Sequence, residues 1–408
     1  MRVAVLGAGV VGVTTAWYLT KLGHEVTLIE RRSGPALETS FGNAGGVCPG
    51  FAGPWAAPGM PFKAFKWLFK SQAPLKWRPR ADLAQWRWLA AFVKNCTPEA
   101  FARNKARMQR MAHYSKASLV ALREETGITY DNASNGVLQV FATEEEMEGG
   151  RRSARVLSEL GIPHRLVDGD GVREVEPGLA RAHAPLVGGL HLLEDETGDC
   201  HLFCQSLTSL LRDAGCTMHF DTVARAFVRD GDRITHVDTS AGPIPADAFV
   251  VATGPYAPQL LRPLGIDVPV YPVKGYSMTC DISEDGAAPR SSVMDEHSKV
   301  MVTRLGSRLR AAGVAELAGF DARIPEGAKR ALRSRVETLF PGAANYQQAQ
   351  FWCGFRPMTP DGPARLGQAG CRNLYLNVGH GSNGWTQACG TARVVAYLVS
   401  GKTPEIEV

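Results

Sequence analysis

The chain has 408 residues, 45% hydrophobic and 21% charged, which suits an ordinary soluble globular protein of about two domains. Its formal net charge of +5 is too mild for a nucleic-acid binder, which needs a concentrated basic footprint. The nine cysteines include no CxxC pair, so no metal site is expected and the thiols read as reduced and mostly buried.

Residues 2–6 (RVAVL) are an apolar run ending at glycine, followed by helical spacing over 10–22 and a second strand at 25–30 (EVTLIE). This is β-α-β in about thirty residues. A run that belongs to the fold so close to Met1 argues against a signal peptide. No stretch reaches the roughly 18 apolar residues needed to span a bilayer, so any membrane contact is expected to be peripheral. Ser40 to Pro61 is rich in glycine and proline and reads as a loop laid against a ligand. Residues 62–125 read as largely helical, 136–142 as a strand and 144–160 as a helix. Gly188–Leu193 reads as a further strand, and Asp199 caps a helix running to about Ala214. Short strands are expected over 217–237, an apolar strand at 248–252, an antiparallel sheet from Pro269 to Ala315 and a helix at 326–340. The last unit is a strand at Asn373–Asn377, a glycine turn at 379–384 and a helix to about Leu398.

The segment Gly7-Ala8-Gly9-Val10-Val11-Gly12 carries the most specific local chemistry. Gly7 permits a tight turn, Gly9 lets a pyrophosphate approach the backbone, and Gly12 lets the helix pack on the sheet. The pyrophosphate would rest on the free N–H groups at the helix N-terminus. Glu30 ends the second strand, where a carboxylate accepts from the adenosine ribose. The motif does not separate NAD from FAD. Three features favour FAD: the polar loop Ser40, Asn43, Ala44, Gly45 and Gly46, the strand Phe249–Val251 ending at Thr253-Gly254, and the terminal turn Gly379-His380-Gly381-Ser382-Asn383-Gly384. That turn starts a helix, whose N-terminus suits negative charge on a reduced flavin ring.

The stretches ETSFGNAGGVCPGFAGPWAAPG at 38–59, DETGDCHLF at 195–203, VYPVKGYS at 270–277, FRPMTPDGP at 355–363 and LNVGHGSNGWTQACG at 376–390 run in order over nearly the whole chain. With the opening motif they resemble the D-amino-acid oxidase superfamily of flavoproteins, and within it the flavin dehydrogenases acting on D-amino acids. The resemblance implies an α/β fold: a Rossmann-type FAD-binding domain (1–60, 197–262 and 345–408) and a mixed antiparallel-sheet substrate domain (61–196 and 263–344). It implies non-covalent FAD, with Arg31, Val223, Gly354, Trp385 and Thr386 beside the residues above at the cofactor. It implies a D-amino acid, D-alanine-like, as substrate, oxidised to a 2-oxo acid and ammonia. The electrons would pass to a quinone or other respiratory-chain acceptor. Left open are an oxygen-using glycine or amine oxidase, a proline or hydroxyproline dehydrogenase subunit, and a non-catalytic FAD-binding subunit.

Oxidation of an amino acid by flavin requires the carboxylate to be held and the Cα–H bond aimed at N5, with no nucleophile and no metal. Arg356, in Gly354-Phe355-Arg356-Pro357, is the candidate for the carboxylate, since a guanidinium grips one through two parallel bonds. The alternative is a structural pairing of Arg356 with Asp361. Tyr276 either lines the pocket or is a sheet aromatic. Lys274 either touches the flavin or faces solvent. His380 either contacts the substrate amine or flavin edge, or holds the turn through a hydrogen bond.

Between Glu38 and Asp82 there is no acidic residue, while Lys63, Lys66, Lys70, Lys76, Arg78 and Arg80 all fall there. Phe62, Phe65, Leu68 and Phe69 share a helical face beside these lysines. Residues 61–80 therefore read either as a peripheral contact with anionic lipid or as a cover over the substrate pocket. The expected location is cytoplasmic, with the inner face of the cytoplasmic membrane as the place of any such contact.

Overall fold

A computed structural model describes residues 1–67, 75–159 and 161–407. The alternating apolar run Arg2–Leu6 forms strand β1, buried from Val3 to Leu6. Gly7, at φ 102°, turns the chain into helix α1, Val10–Lys21, which leads to β2, Glu25–Ile29. No side chain caps α1 at Gly9, so its first N–H groups are left for other acceptors. Strand β1 is parallel to β2 on one side and to Ala248–Val251 on the other. The six-stranded sheet runs 365–369, 371–378, 248–251, 2–6, 25–29, 217–219 in spatial order. Helices at α1, Cys200–Asp213 and 384–399 cover one face with a core that includes Val13, Trp17, Phe203 and Val395. Phe249, Val251, Leu261 and Leu374 pack the other face. Each such fully buried large side chain contributes about 2 kcal/mol.

The second sheet has nine strands and is mixed. Its centre is built from β3, Tyr271–Asp281, β4, Arg308–Leu317, and β5, Gln350–Met358, with β3 antiparallel to both neighbours. Beyond β4 come Val300–Leu305, Ser292–Asp295, Val137–Phe141, Gly188–Leu192 and His164–Asp168. Val293, Val302, Val336 and Phe340 belong to the core between this sheet and the helix Glu326–Leu339. The terminal helix α2, Gly384–Val399, starts from the glycine turn and returns to the first sheet. The fold is thus the expected α/β pairing of a Rossmann-type unit with a mixed sheet.

The helical expectation for 62–125 needs one correction. Helices occupy Met60–Trp67, Leu83–Lys94 and Pro98–Thr126, but Leu75–Trp77 is a strand parallel to β4. Tertiary pairing at a sheet edge overrides the local pattern there. Leu68, Phe69 and Lys70, which the basic aromatic reading uses, lie outside the described residues. All nine cysteines are free, and seven are buried. No helix among the described residues is long and apolar enough to cross a membrane.

Candidate active site

A cavity of about 820 Å³ runs from the β1–α1 turn to the face of the second sheet. One end is made by Gly7, Gly9, Val10, Val11, Glu30 and Arg31, with Val223 opposite. The Glu30 carboxylate accepts the Ala8 and Arg32 N–H groups at 2.8 and 2.9 Å, which pins it at the end of β2. Burial raises its pKa, partly offset by those two bonds. Two acceptor directions remain free for hydroxyl donors. Arg31 lines the cavity but is held elsewhere: its guanidinium grips Glu38 at 2.6 and 2.5 Å and lies 3.7 Å from the centre of the Tyr256 ring. Gly12 does not reach the cavity. A Cβ there would fall 1.7 Å from the Gly7 carbonyl, so its bareness lets α1 sit on the turn.

The loop from Ser40 to Gly46 follows. The Ser40 hydroxyl accepts the Val10 N–H at 3.1 Å, at the head of α1. Asn43 folds the loop on itself by donating to the Ser40 carbonyl and accepting the Gly45 N–H at 2.8 Å. Ala44, Gly45 and Gly46 complete this wall. Arg310, buried in the second sheet, donates to the Phe41 carbonyl at 3.1 Å and ties the loop down. Opposite the loop stand Thr253, Gly254, Gly381, Ser382, Asn383, Gly384, Trp385 and Thr386.

These walls fit a flavin dinucleotide. Thr253 Oγ1, Asn377 Oδ1 and Trp385 Nε1 are buried without a hydrogen-bond partner among the described residues, and all three residues line the cavity. A Cβ on Gly7 would come within 2.7 Å of the Ala252 carbonyl, so the backbone there is bared and fixed. Two helix N-termini, of α1 and α2, face the same space, and neither cap residue satisfies them with a side-chain bond. The N–H groups of Gly384, Trp385 and Thr386, the first residues of α2, therefore face an electron-rich ligand edge, while the Asn383 N–H is held by the His380 carbonyl at 3.0 Å.

The far end of the cavity lies on the second sheet. Trp352, Gly354 and Arg356 alternate along β5 and so share a face. Gly354 faces Gly275 across the β3–β5 pair. The Trp352 indole covers Gly354, where a Cβ would meet it at 1.9 Å, and Arg356 covers Gly275, where a Cβ would meet Nη1 at 2.2 Å. A floor of two glycines thus lies beneath an aromatic ring and a cation. Arg356 does not pair with Asp361, which binds Arg365 at 2.7 Å instead. Among the described residues Arg356 has no carboxylate partner; Nη1 donates to the carbonyls of Lys274 at 3.4 Å and Val314 at 3.2 Å. Its remaining accessible surface faces the cavity, and burial pushes its pKa down to about 10.

Tyr276 lines the cavity, but its hydroxyl donates to Glu316. Burial and that bond raise its pKa well above the usual phenol value. Lys274 fulfils neither expectation for it. It is buried, does not line the cavity, and its ammonium sits 3.0 Å from Glu316, with the Arg323 carbonyl at 3.1 Å. Lys274 and Tyr276 are two apart on one strand, which sends both toward the same carboxylate. His380 lines the cavity with its Nε2 3.0 Å from Thr391 Oγ1, and burial pushes its pKa down to about 4. It is therefore a neutral ring near pH 7, fixed by a side-chain hydroxyl rather than by turn backbone.

Several lining residues escaped the sequence reading, among them Trp55, Phe92, Met301, Val314 and Trp352. Trp352 carried no local signal: the glycines that its indole covers, Gly42 and Gly354, are 312 positions apart in the chain. The others come from strands and helices whose pairing no local pattern shows.

The model of the family described as FAD dependent oxidoreductase matches residues 2–398. A D-amino acid dehydrogenase of Agrobacterium fabrum is 53% identical over 407 residues, covering 100% of this chain and 97% of the relative. One from Granulibacter bethesdensis is 49% identical, with the same coverage. Among solved structures, glycine oxidase from Bacillus cereus superposes with a TM-score of 0.76 at 20% identity, covering 98% of this chain and 95% of that one. The glycine cradle, the acid at the end of β2 and the full-length match lead to one assignment: the chain belongs to the family of FAD dependent oxidoreductases.

Proposed function

We propose that this chain oxidises D-amino acids to 2-oxo acids and ammonia with FAD, and that its electrons pass to a quinone or another acceptor besides oxygen. The observation that carries the substrate class is Arg356, a cation in the cavity wall with no carboxylate partner among the described residues. The relatives named D-amino acid dehydrogenase support the choice of D-amino acids. Bound FAD supplies a hydride acceptor at N5, and the chain supplies position and a dry surface.

In this reading the Arg356 guanidinium receives the substrate carboxylate through the edge not used by the Lys274 and Val314 carbonyls. Trp352 and Tyr276 wall the space beside it, while Trp55, Phe92 and Met301 keep it apolar. The substrate Cα would lie beside the Trp352 ring and the Arg356 guanidinium, which cover Gly354 and Gly275. Neutral His380 does not compete for the carboxylate as a cation, and donates or accepts at most one hydrogen bond. The product imino acid is hydrolysed by water after release from this dry site.

In this reading the chain divides into a cofactor domain (1–60, 197–262 and 345–408) and a substrate domain (61–196 and 263–344), although β5 of the cofactor part is paired into the second sheet, where it carries Arg356. Peripheral contact with anionic lipid through 61–80, at the inner membrane face, is the matching route to a quinone. Phe62 is exposed there with Lys66 4.5 Å from its ring centre. Flotation with anionic liposomes that is unchanged by Lys63→Glu and Lys66→Glu would remove the lipid contact.

Anaerobic flavin reduction over a panel of D- and L-amino acids tests the main reading. Bleaching by D-alanine and not by L-alanine supports it; bleaching by neither makes the chain a non-catalytic FAD subunit. Peroxide formed in air at the rate of dye reduction would replace the dehydrogenase by an oxidase.

A further inference from the structure

The seat of Arg356 is built by an irregularity in the sheet. Strands β3 and β4 pair Lys274 with Glu316 and then Tyr276 with Gly313, so Val314 and Ala315 together oppose Gly275 alone. This is a β-bulge, which releases the extra residue from the ladder. Val314 adopts φ 58°, in the left-handed region where a β-branched residue is a genuine outlier. Strain of this kind persists only where the surroundings hold it. Here the Val314 carbonyl meets Arg356 Nη1 at 3.2 Å. The arginine starts on β5, crosses β3 at Gly275 and ends at the bulge on β4. The crossing is possible because Gly275 has no Cβ; one would lie 2.2 Å from Nη1 and 2.7 Å from Nη2.

We propose that Gly275 and Val314 are positioning residues for Arg356: the strained bulge anchors one guanidinium nitrogen and leaves the Nη2 and Nε hydrogens for a carboxylate. The two carbonyls of Lys274 and Val314 occupy the two Nη1 hydrogens. Among the described residues neither Nη2 nor Nε donates to a protein acceptor within hydrogen-bond distance. An anchored guanidinium presents one planar edge in a fixed direction, and orientation is what a near-attack geometry needs. The proposal rests on the assignment of Arg356 to the substrate carboxylate.

Gly275→Ala is the direct test, read by D-alanine kinetics and by the Kd of propionate from the flavin absorbance. KM and the propionate Kd should rise about tenfold or more with FAD stoichiometry unchanged. In an Arg356→Lys background, which lacks the crossing fork, Gly275→Ala should add less than about twofold. Val314→Gly accepts the positive φ but loosens the bulge that anchors Nη1, so KM and the propionate Kd should rise by about threefold or more with FAD stoichiometry unchanged. If Gly275→Ala does not accumulate as a flavoprotein, the Gly275→Ala/Arg356→Lys double variant decides. Recovered FAD loading supports a collision at the guanidinium, and no recovery overturns it. Arg356→Lys that leaves propionate binding unchanged would remove the carboxylate assignment itself. Propionate weakened by Arg356→Lys but by neither Gly275→Ala nor Val314→Gly would sink the positioning proposal alone.

Discussion

Lys274 and Glu316 form an ion pair 3.0 Å long in which both side chains are only 1% exposed. The same carboxylate accepts from the Tyr276 hydroxyl and pairs with Arg78, next to the short strand Leu75–Trp77. Burial pushes the Glu316 carboxyl up, but its bonds from Arg78, Tyr276 and Lys274 outweigh this and hold it below the usual value. One acid on β4 therefore fastens two residues of β3 and Arg78, which follows the short strand, behind the cavity wall.

Removing one partner of a buried pair strands the other. Lys274→Met should destabilise the fold by about 3 kcal/mol or more, measured by denaturant unfolding. Adding Glu316→Gln removes the orphaned charge and should recover at least part of the loss. FAD content and KM of the folded fraction should barely change, because Lys274 does not line the cavity. A KM rise with intact stability would return Lys274 to the chemistry.

Arg356 has the opposite profile. It is desolvated and has no carboxylate partner among the described residues, so Arg356→Met should leave Tm unchanged or raise it. The same change should lower kcat/KM for D-alanine by about a hundredfold or more, since a charge-assisted bidentate contact is lost. Thermal melts and steady-state kinetics on one preparation test both halves.

His380 makes the fold acid-sensitive. Its pKa falls from an ordinary 6.5 to about 4 through burial. Between those values the unfolded chain binds a proton that the native chain refuses, so stability falls as pH drops from about 6.5 to 4. The shift corresponds to a loss on the order of 3 kcal/mol. His380→Gln should flatten that part of the stability–pH curve. It should also leave kcat/KM without a changed ionisation between pH 6 and 9.

Asp195 gives a slope that falls toward alkali. It is buried, and burial raises its pKa from 3.8 to about 7, against a bond from the Gly50 N–H. The native state holds this proton longer than the unfolded state. The protonated carboxyl is fully tolerated below about pH 3.8, and its advantage is lost as pH rises through about 7. Asp195→Asn should therefore stabilise the protein at pH 8 more than at pH 5, by a few kcal/mol. Equal Tm shifts at the two pH values would contradict this.

The cofactor end was largely legible in the sequence because its parts are local. Gly7, Gly9, Gly12 and Glu30 act within one β-α-β unit, and the terminal turn carries its own glycines. The substrate end was legible only in Arg356 and Tyr276. Trp352 and Val314 take their roles from strand pairing and a bulge, and neither periodicity nor composition encodes a bulge. Lys274 was misplaced for a related reason. Its partner Glu316 lies 42 positions away, and only the register of β3 on β4 brings them together.

Strand β1 lies inside the first sheet, next to Ala248–Val251, which in turn lies next to Cys371–Val378. The residues of β1 are thus paired with residues made some 245 positions later, as in Val3 beside Ala248. During synthesis the glycine cradle exists long before its walls. Thr253 follows Gly7 by 246 positions and Gly379 follows it by 372, so tight FAD capture is a late event, and the growing chain exposes an unpaired edge of β1 until Ala248–Val251 is made. Riboflavin shortage should consequently harm yield more than it harms the activity of molecules already assembled.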